Sequence, residues 1–224
     1  MSAILSAHSI KREINTKAGL LTILDDVSID LKKGESVAIQ GASGSGKSTL
    51  LGVLAGLDIP QQGKVIIGDY DITELDEDQR ARLRADTVGF VFQSFYLIDD
   101  LTALENVALP LELFGHQAPF ETAADWLEKL GMKDRLKHFP KQLSGGEQQR
   151  VALCRAFAVS PAILFADEPT ANLDTATAER VLDQLFSLQR ELNTSMVIAT
   201  HDRNLAKRCD RVLHLQSGRL VSEA

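Results

Sequence analysis

The sequence GASGSGKST, residues 41–49, decides the fold of this chain. Its Gly41, Gly46, Lys47 and Ser48 match the pattern of a phosphate-binding loop. In such a loop, backbone N–H groups surround phosphate oxygens, the lysine adds a positive charge and the serine hydroxyl reaches Mg²⁺. The segment therefore predicts a nucleotide site.

The sequence on either side supplies the context that such a loop requires. Apolar residues predict a buried strand over 36–40, and those after the loop predict a helix over 49–57 whose positive end faces the phosphates. A merely flexible glycine and serine loop is the alternative, and it does not require these neighbours. The predicted nucleotide contacts are Gly41, Ala42, Ser43, Gly44, Ser45, Gly46, Lys47, Ser48 and Thr49.

Strands and helices alternate along most of the chain. The other predicted strands are residues 4–10, 21–31, 64–67, 88–92, 162–166 and 196–200, with a final hairpin around Ser217 and Gly218. The other predicted helices are residues 76–85, 103–114, 120–130, 147–159, 175–192 and 202–208. This order predicts an α/β fold with a mostly parallel sheet covered on both faces, interrupted by an all-helical insertion.

Two carboxylates follow the predicted strand at 162–166. Asp167 and Glu168 come at its carboxyl end, where ligands bind in an open α/β sheet. Alternation along a strand predicts that they point to different sides, Asp167 toward Mg²⁺ and Glu168 toward the attacking water. Acids that merely cap the next turn are the alternative.

Two more polar residues follow predicted strands. His201 is a candidate contact of the γ-phosphate, and Gln93 a candidate contact of Mg²⁺ or water. His201 is equally compatible with a helix N-cap or a satisfied surface group, and Asp202 is a second candidate for the start of the following helix. Gln93 taken alone is compatible with a solvated surface residue.

The segment LSGGEQQR, residues 143–150, is the second glycine-rich segment. Ser144 followed three residues later by Glu147 predicts a capping box at a helix N-terminus. The box leaves Gly145 and Gly146 without a structural role, so we interpret them as allowing another molecule to approach closely. The free N–H groups and the dipole of the helix end would attract an anion.

Composition narrows the class of protein. The chain has 224 residues, 44% of them hydrophobic, which predicts one domain with an insertion. The net charge of −7 argues against a nucleic-acid partner. No run of 18 apolar residues and no signal peptide is recognised, so we expect a soluble chain in the cytoplasm. Cys154 and Cys209 are predicted to be buried free thiols.

The motifs occur in the order seen in ATP-binding cassette ATPases, which the chain resembles over practically its whole length. The segment 90–107 is similar to the subgroup of lipoprotein-releasing, macrolide-export and cell-division ATPases, and the whole chain resembles the YbbA-like branch of that subgroup. The resemblance implies a P-loop NTPase fold over 4–224. Its RecA-like core and N-terminal antiparallel β subdomain would occupy about 1–93 and 159–224, and its helical subdomain about 94–158.

The resemblance also implies a head-to-tail dimer that holds two ATP molecules. The phosphate loop of one copy and the Ser144 helix of the other would grip one nucleotide, with Asp174 crossing the interface and Mg²⁺ as the second cofactor. Glu168 would be the general base. Implied catalytic residues are Glu168, His201 and Gln93; implied partner-side nucleotide contacts are Ser144, Gly145, Gly146, Glu147 and Asp174; implied metal contacts are Ser48, Gln93 and Asp167.

The family's partner is an integral-membrane permease, which would hold this chain at the cytoplasmic face of the inner membrane. Phe95, Tyr96, Leu97 and Ile98 would face that permease, or else belong to the core of the helical insertion. Two further functions compatible with the sequence are a soluble non-transport ATPase and a regulatory clamp with little ATP turnover.

One residue departs from the family pattern. The aromatic residue that usually stacks on adenine is absent from residues 11–21, and Ile14 is the nearest candidate. Because an aliphatic side chain gives up part of the roughly 1–3 kcal/mol of base stacking, we expect modest ATP affinity and poor selectivity over GTP. Nucleotide competition tests this; strong adenine preference would contradict it.

Overall fold

The computed structural model describes residues 3–17 and 19–221, which divide into two compact units. One unit combines the chain up to Arg84 with the part from Ser195 onward, and the other is Ala85–Thr194. The strands are β1 (Ala3–Thr16), β2 (Gly19–Lys32), β3 (Ser36–Gln40), β4 (Gln62–Ile67), β5 (Tyr70–Asp71), β6 (Val88–Val91), β7 (Ile163–Asp167), β8 (Ser195–Thr200), β9 (Arg211–Gln216) and β10 (Arg219–Val221). The helices are α1 (Lys47–Leu54), α2 (Glu77–Thr87), α3 (Ala103–Leu113), α4 (Pro119–Lys129), α5 (Gly145–Ala158), α6 (Thr175–Leu192) and α7 (Arg203–Ala206), with 3₁₀ turns at Lys133–Arg135 and Pro140–Gln142.

The first unit contains an antiparallel sheet in the order β2-β1-β4-β5. The prediction that the first strand ends at residue 10 is wrong, because β1 continues to Thr16. Its last residues pair with β2, with Ile14 opposite Leu21. Polar residues from Lys11 onward conceal this extension, since this part of the hairpin has no fully buried face to impose an alternating pattern.

The same unit contains three parallel strands that place the phosphate loop. β3 lies between β8 and β9, and its last residue, Gln40, is in register with Thr200 and His214. β10 pairs antiparallel with β9. The carboxyl ends of β3, β8 and β9 therefore meet at one edge, where the phosphate loop begins.

The helix predicted over 49–57 begins earlier and is shorter than expected. It starts at Lys47 and ends at Leu54, with Ala55 as C-cap. Gly56 follows with φ of +69°, a left-handed conformation that stops the helix. Likewise α7 covers only Arg203–Ala206, inside the predicted range 202–208.

The second unit pairs β6 with β7 in parallel and packs its helices around a buried core. Residues 94–158, all within the described part of the chain, contain helices and no strand. Trp126 stacks on Phe157 with ring centroids 6.3 Å apart. The helical character predicted for this stretch is confirmed.

The cysteine prediction is half right. Cys154 is buried, and its thiol donates to the carbonyl of Trp126 at 3.3 Å. Cys209 is only half-buried, although burial still raises the pKa of its thiol to about 12. Over the described residues, no helix combines the length and apolarity needed to cross a membrane.

Candidate nucleotide-binding site

The phosphate loop turns from β3 into α1 with left-handed backbone at two glycines. Gly44 has φ of +78°, and Gly46, the N-cap of α1, has φ of +103°. A Cβ on Gly46 would lie 2.9 Å from the carbonyl oxygen of Ile23, and one on Gly41 would collide with that of Leu215. The loop therefore needs glycine at 44 and 46 for conformation and at 41 for space.

Lys47 is the first residue of α1 and is only 7% exposed. Its Nζ donates to the carbonyl oxygens of Gly41 at 2.9 Å and Ala42 at 3.1 Å. The ammonium group of Lys47 thus lies across the phosphate loop of its own motif. Phosphate binding would exchange these carbonyl contacts for charged oxygens, which are stronger acceptors.

The rest of the loop is open at its tip and fixed at its base. Ala42, Ser43, Gly44 and Ser48 are exposed. Ser45 is buried, and its backbone carbonyl accepts from the N–H of Gly218 at 3.1 Å. Among the described residues, no partner is found for the buried Oγ of Ser45.

His201 shares a cavity of about 550 Å³ with the start of the phosphate loop. The lining residues are Gln40, Gly41, Ala42, His201, Arg203, Ala206, Lys207, Val212 and His214. The end of β8, which precedes His201, and the end of β3, which precedes the phosphate loop, therefore lie side by side within the first unit. Asp202, not His201, is the N-cap of α7, since its carboxylate accepts from the N–H of Asn204 at 2.7 Å.

The acid pair ends β7 in the second unit. Asp167 is the last residue of the strand, while Glu168 has φ of +45°, a left-handed conformation that is uncommon outside glycine. The prediction that strand alternation orients Glu168 is therefore wrong, because this residue has left the extended conformation. Its direction comes from a tight turn closed by the N–H of Ala171 on the Glu168 carbonyl at 3.1 Å.

The capping box of α5 is confirmed. Ser144 Oγ accepts from the N–H of Glu147 at 3.3 Å, and the carboxylate of Glu147 accepts from the N–H of Ser144 at 2.9 Å. Arg135 Nε donates to the same carboxylate at 2.8 Å. The Ser144 backbone bond, with help from Arg135, lowers the pKa of Glu147 to about 2.

The interpretation that Gly145 and Gly146 have no structural role is wrong. A Cβ on Gly146 would collide with Cγ2 of Thr177, and one on Gly145 would lie 3.3 Å from Cδ2 of Leu173. Gly145 therefore makes room for Leu173, just before α6, and Gly146 makes room for Thr177 in the first turn of α6. This packing partner lies about thirty residues away along the chain, so no local pattern indicates it.

Asp174, predicted at the dimer interface, is exposed and caps α6. Its carboxylate accepts from the N–H of Thr177 at 3.0 Å, and hydrogen bonds from Thr177 lower its pKa. Just before it, Asn172 Nδ2 donates to the carbonyl of Gln93 at 3.0 Å. The loop before α6 is thereby joined to Gln93, a contact that the sequence does not predict.

Gln93 and the residues after it form an irregular, largely exposed segment. Gln93, Tyr96 and Ile98 are exposed, and Tyr96 keeps 64% of its surface accessible. Between an apolar surface and a helical core, the structure favours the surface for Tyr96 and Ile98. Arg155, which sequence reasoning missed, donates to backbone carbonyls of this segment.

Ile14, the candidate adenine contact, lies near the end of the β1–β2 hairpin and is 40% exposed. Its cross-strand partner Leu21 and the neighbouring Leu20 are also exposed. The hairpin end thus presents an aliphatic surface and offers no aromatic ring at these positions.

A glycine loop wrapped around a buried lysine, between a parallel strand and a helix N-terminus, defines this protein as a P-loop nucleotide-binding protein. The profile of the family described as "ABC transporter" matches residues 24–171, about two thirds of the chain. The chain belongs to the ABC transporter family and is an ATPase of it.

Similar proteins confirm the predicted subgroup. The chain is 51% identical to the ABC transporter ATP-binding protein YbbA of Escherichia coli K12, over 99% of this chain and 98% of that one. It is 45% identical to the lipoprotein-releasing system ATP-binding protein LolD of Legionella pneumophila, strain Paris, over 98% and 97%. Among solved structures, the ATP-binding cassette MJ0796, a dimer in a post-hydrolysis state bound to ADP and Pi, superimposes with a TM-score of 0.91 at 38% identity, covering 98% and 97% of the two chains. These likenesses confirm the predicted α/β fold with an antiparallel β subdomain and helices.

Proposed function

We propose that this chain hydrolyses ATP as one half of a head-to-tail dimer and that the dimer drives an integral-membrane permease at the cytoplasmic face of the inner membrane. The observation that carries the proposal is the preformed phosphate loop, with Lys47 buried across its own carbonyls. Support for the dimer comes from the MJ0796 cassette, whose structure is dimeric with ADP and Pi. Support for the permease comes from the transporter names of the relatives.

The phosphate loop, residues 41–49, would hold the β- and γ-phosphates. Its backbone N–H groups lie at the N-terminus of α1, where the helix dipole favours negative charge. Lys47 would move from the Gly41 and Ala42 carbonyls to the phosphates. His201 lines a cavity together with Gly41 and Ala42 of the loop, and its imidazole would contact the terminal phosphate there.

The residues present suit Mg²⁺. Ser48, Gln93 and Asp167 supply a hydroxyl, an amide and a carboxylate oxygen, which are the hard ligands that Mg²⁺ prefers. Within residues 3–17 and 19–221 there is no cluster of three or more His, Cys, Asp or Glu side chains suited to a metal. In the proposed site Mg²⁺ would be held by few protein oxygens and by nucleotide phosphates, whose charge it would neutralise.

Glu168 would accept the proton of the attacking water. Its left-handed backbone turns the side chain out of the strand direction at the carboxyl end of β7, where ligands bind in such sheets. His201 would steady the γ-phosphate as negative charge develops on it.

The Ser144 end of α5 would act on nucleotide held by the other copy. Ser144, Gly145, Gly146 and Glu147 lie at the first turn of this helix, which is suited to an anion. Asp174 would cross the interface and join the two sites. At the other end of the nucleotide, Ile14 would give adenine an aliphatic contact.

A complementation experiment tests the trans arrangement. Lys47→Ala removes the cradle, Ser144→Arg blocks the helix end, and each variant alone should hydrolyse ATP at background rate. In a mixed dimer, one site combines the intact Lys47 of one copy with the intact Ser144 of the other. We expect turnover of the mixture to rise severalfold above the sum of the separate variants.

Two controls make the result decisive. The Ser144→Arg variant should still bind ATP, because its phosphate loop is unchanged, and both variants should match the native circular dichroism spectrum. A mixture no more active than its components would show that both segments act within one copy, and the proposed dimer would be wrong.

A further inference from the structure

The connection between α1 and β4 runs beside the last part of β1. Gln62, the first residue of β4, is paired with Lys11 of β1. Since the two strands are antiparallel, β1 continues to Thr16 past the point where β4 begins. The backbone of β1 from residue 12 onward therefore lies beyond its β4 neighbour.

The side chain of Gln61 extends the pairing of β1 past that point. Its Oε1 accepts from the N–H of Glu13 at 2.8 Å, and its Nε2 donates to the carbonyl of Glu13 at 3.0 Å. Its own N–H donates to the carbonyl of Lys11 at 2.9 Å. One amide side chain thus pairs both backbone groups of Glu13, as a neighbouring strand would. Glu13 directly precedes Ile14, the proposed adenine contact.

The same connection is joined to α1. The N–H of Asp58 donates to the carbonyl of Gly52 in that helix at 3.2 Å. The carboxylate of Asp58 accepts from Nε of Arg12 at 2.8 Å and from its Nη2 at 2.7 Å. A bidentate pair fixes orientation as well as distance. Because α1 begins at Lys47, one helix carries both the phosphate loop's lysine and the segment that holds β1.

The β1–β2 hairpin passes the phosphate loop two residues before Ile14. Arg12 lies opposite Leu24, and a Cβ on Gly46 would lie 3.1 Å from Cδ2 of Leu24. Two residues of a strand span about 7 Å. Ile14 is thus a short distance along β1 from the loop that would hold the phosphates, and Gln61 pairs the residue just before it.

We propose that Gln61 is a positioning residue for the nucleobase. By pairing both backbone groups of Glu13, it fixes Ile14 where the purine of a bound nucleotide would meet the hairpin. This inference rests on the proposed function, in which Ile14 contacts adenine. Gln61 touches no nucleotide in this account; it acts through the backbone of β1 and sets how much the base contributes to binding.

Binding of two ligands to the full-length chain tests this. ADP carries the base and two phosphates, whereas pyrophosphate carries the phosphates only. The ratio of their affinities, measured by isothermal titration calorimetry with Mg²⁺, reports what the nucleoside contributes. Gln61→Leu removes both side-chain bonds to Glu13 at similar size. Gln62→Leu is the matched control, because it makes the same change at the adjacent residue, which is exposed and pairs with Lys11 through its backbone.

We expect Gln61→Leu to lower the affinity for ADP about threefold to tenfold, which is part of what base stacking can contribute, and to leave the affinity for pyrophosphate native. Gln62→Leu should keep both affinities native. Ile14→Ala should lower the affinity for ADP at least as much as Gln61→Leu does. Adding Gln61→Leu to Ile14→Ala should lower it no further, because the side chain that Gln61 positions is then absent.

The outcomes separate the two proposals. If Ile14→Ala weakens ADP binding and Gln61→Leu does not, the role of Gln61 is wrong and the proposed function stands. The same holds if Gln61→Leu weakens ADP and pyrophosphate equally, or adds its full effect to that of Ile14→Ala.

Two results would overturn more than the role of Gln61. If Ile14→Ala binds ADP as the native chain does, the adenine contact is wrong and the positioning role fails with it. If the native chain binds neither ADP nor pyrophosphate, the phosphate loop does not hold nucleotide and the proposed function is wrong.

Discussion

The two glycine-rich segments of this chain use glycine for different reasons. In the phosphate loop, Gly44 and Gly46 have left-handed backbone, and Lys47 rests on the loop's own carbonyls. At the start of α5, Gly145 and Gly146 have helical backbone and make room for Leu173 and Thr177. In the proposed mechanism the first segment would exchange hydrogen bonds to bind phosphate, while in the second the capping box already pairs the N–H groups of Ser144 and Glu147.

This difference indicates which segment should rearrange when nucleotide binds. In the proposed mechanism the phosphate loop would rearrange within one copy, whereas the α5 terminus, with its capping box already formed, would be brought to the nucleotide without rearranging. A helix N-terminus whose capping box is already formed, and which docks without rearranging, is suited to a contact made by a second copy. Substitutions in the phosphate loop and in the α5 terminus should therefore have different effects.

The largest expected effect is a loss of ATP hydrolysis with no loss of the contact between the two segments. Glu168→Gln keeps the shape of the side chain but removes the base, so turnover should fall by roughly 10²–10⁴-fold. ATP binding and the closed dimer should persist, because neither segment is changed. Steady-state ATPase assays and light scattering measure the two effects, with the exposed Glu128→Gln as control. Native turnover would remove Glu168 from the mechanism.

The next prediction concerns the internal role of Gly146. Gly146→Ala places a Cβ against Cγ2 of Thr177, and we expect overpacking to lower the free energy of unfolding by about 1–3 kcal/mol. Adding Thr177→Ser removes the colliding methyl group and should recover most of the loss. Urea unfolding of the single and double variants measures this.

The double variant tests whether Gly146 serves internal packing or the contact with a second copy. If it is stable and still forms the ATP-dependent dimer, Gly146 serves internal packing. A single Gly146→Ala variant as stable as the native chain would show that the contact with Thr177 imposes no restriction on this position.

The smallest expected effect is a pH dependence of the cap. Because the folded chain lowers the pKa of Glu147 from about 4.5 to about 2, its contribution is complete above pH 4.5 and is lost as pH falls toward 2. Glu147→Gln should be less stable by about 1 kcal/mol at neutral pH, the usual contribution of a cap. The difference from the native chain should shrink on acidification.

Urea unfolding at several pH values follows this difference. Glu128→Gln changes an exposed carboxylate that pairs with Lys133, and it should differ from the native chain by no more than a few tenths of a kcal/mol. A stability difference for Glu147→Gln that stays constant between pH 5 and 3 would contradict the assigned role of the carboxylate in the cap.

Local chemistry explains what the sequence could predict. The phosphate loop, the capping box and the alternation of strands with helices depend on residues within one turn or strand of each other, and the structure has them close to the predicted positions. The extension of β1 to Thr16 was missed because it has no fully buried face and no apolar repeat. The left-handed Glu168 was missed because nothing in ILFADE indicates where the extended backbone ends.

Contacts between distant segments were not predictable. The bonds from Asn172 to Gln93 and from Arg155 to Phe95 join residues separated by about sixty to eighty positions, and neither donor belongs to a recognised pattern of spacing. Gly146 shows the same limit, because its reason for being glycine is a threonine on another helix.

The most direct test of the central claim is an experimental structure of the Glu168→Gln chain with Mg²⁺ and ATP. We predict two copies related head to tail, with each triphosphate held by Lys47 of one copy and contacted by Ser144 of the partner subunit. A structure in which Ser144 of every copy lies far from any γ-phosphate, or contacts the triphosphate held by its own Lys47, would contradict the account.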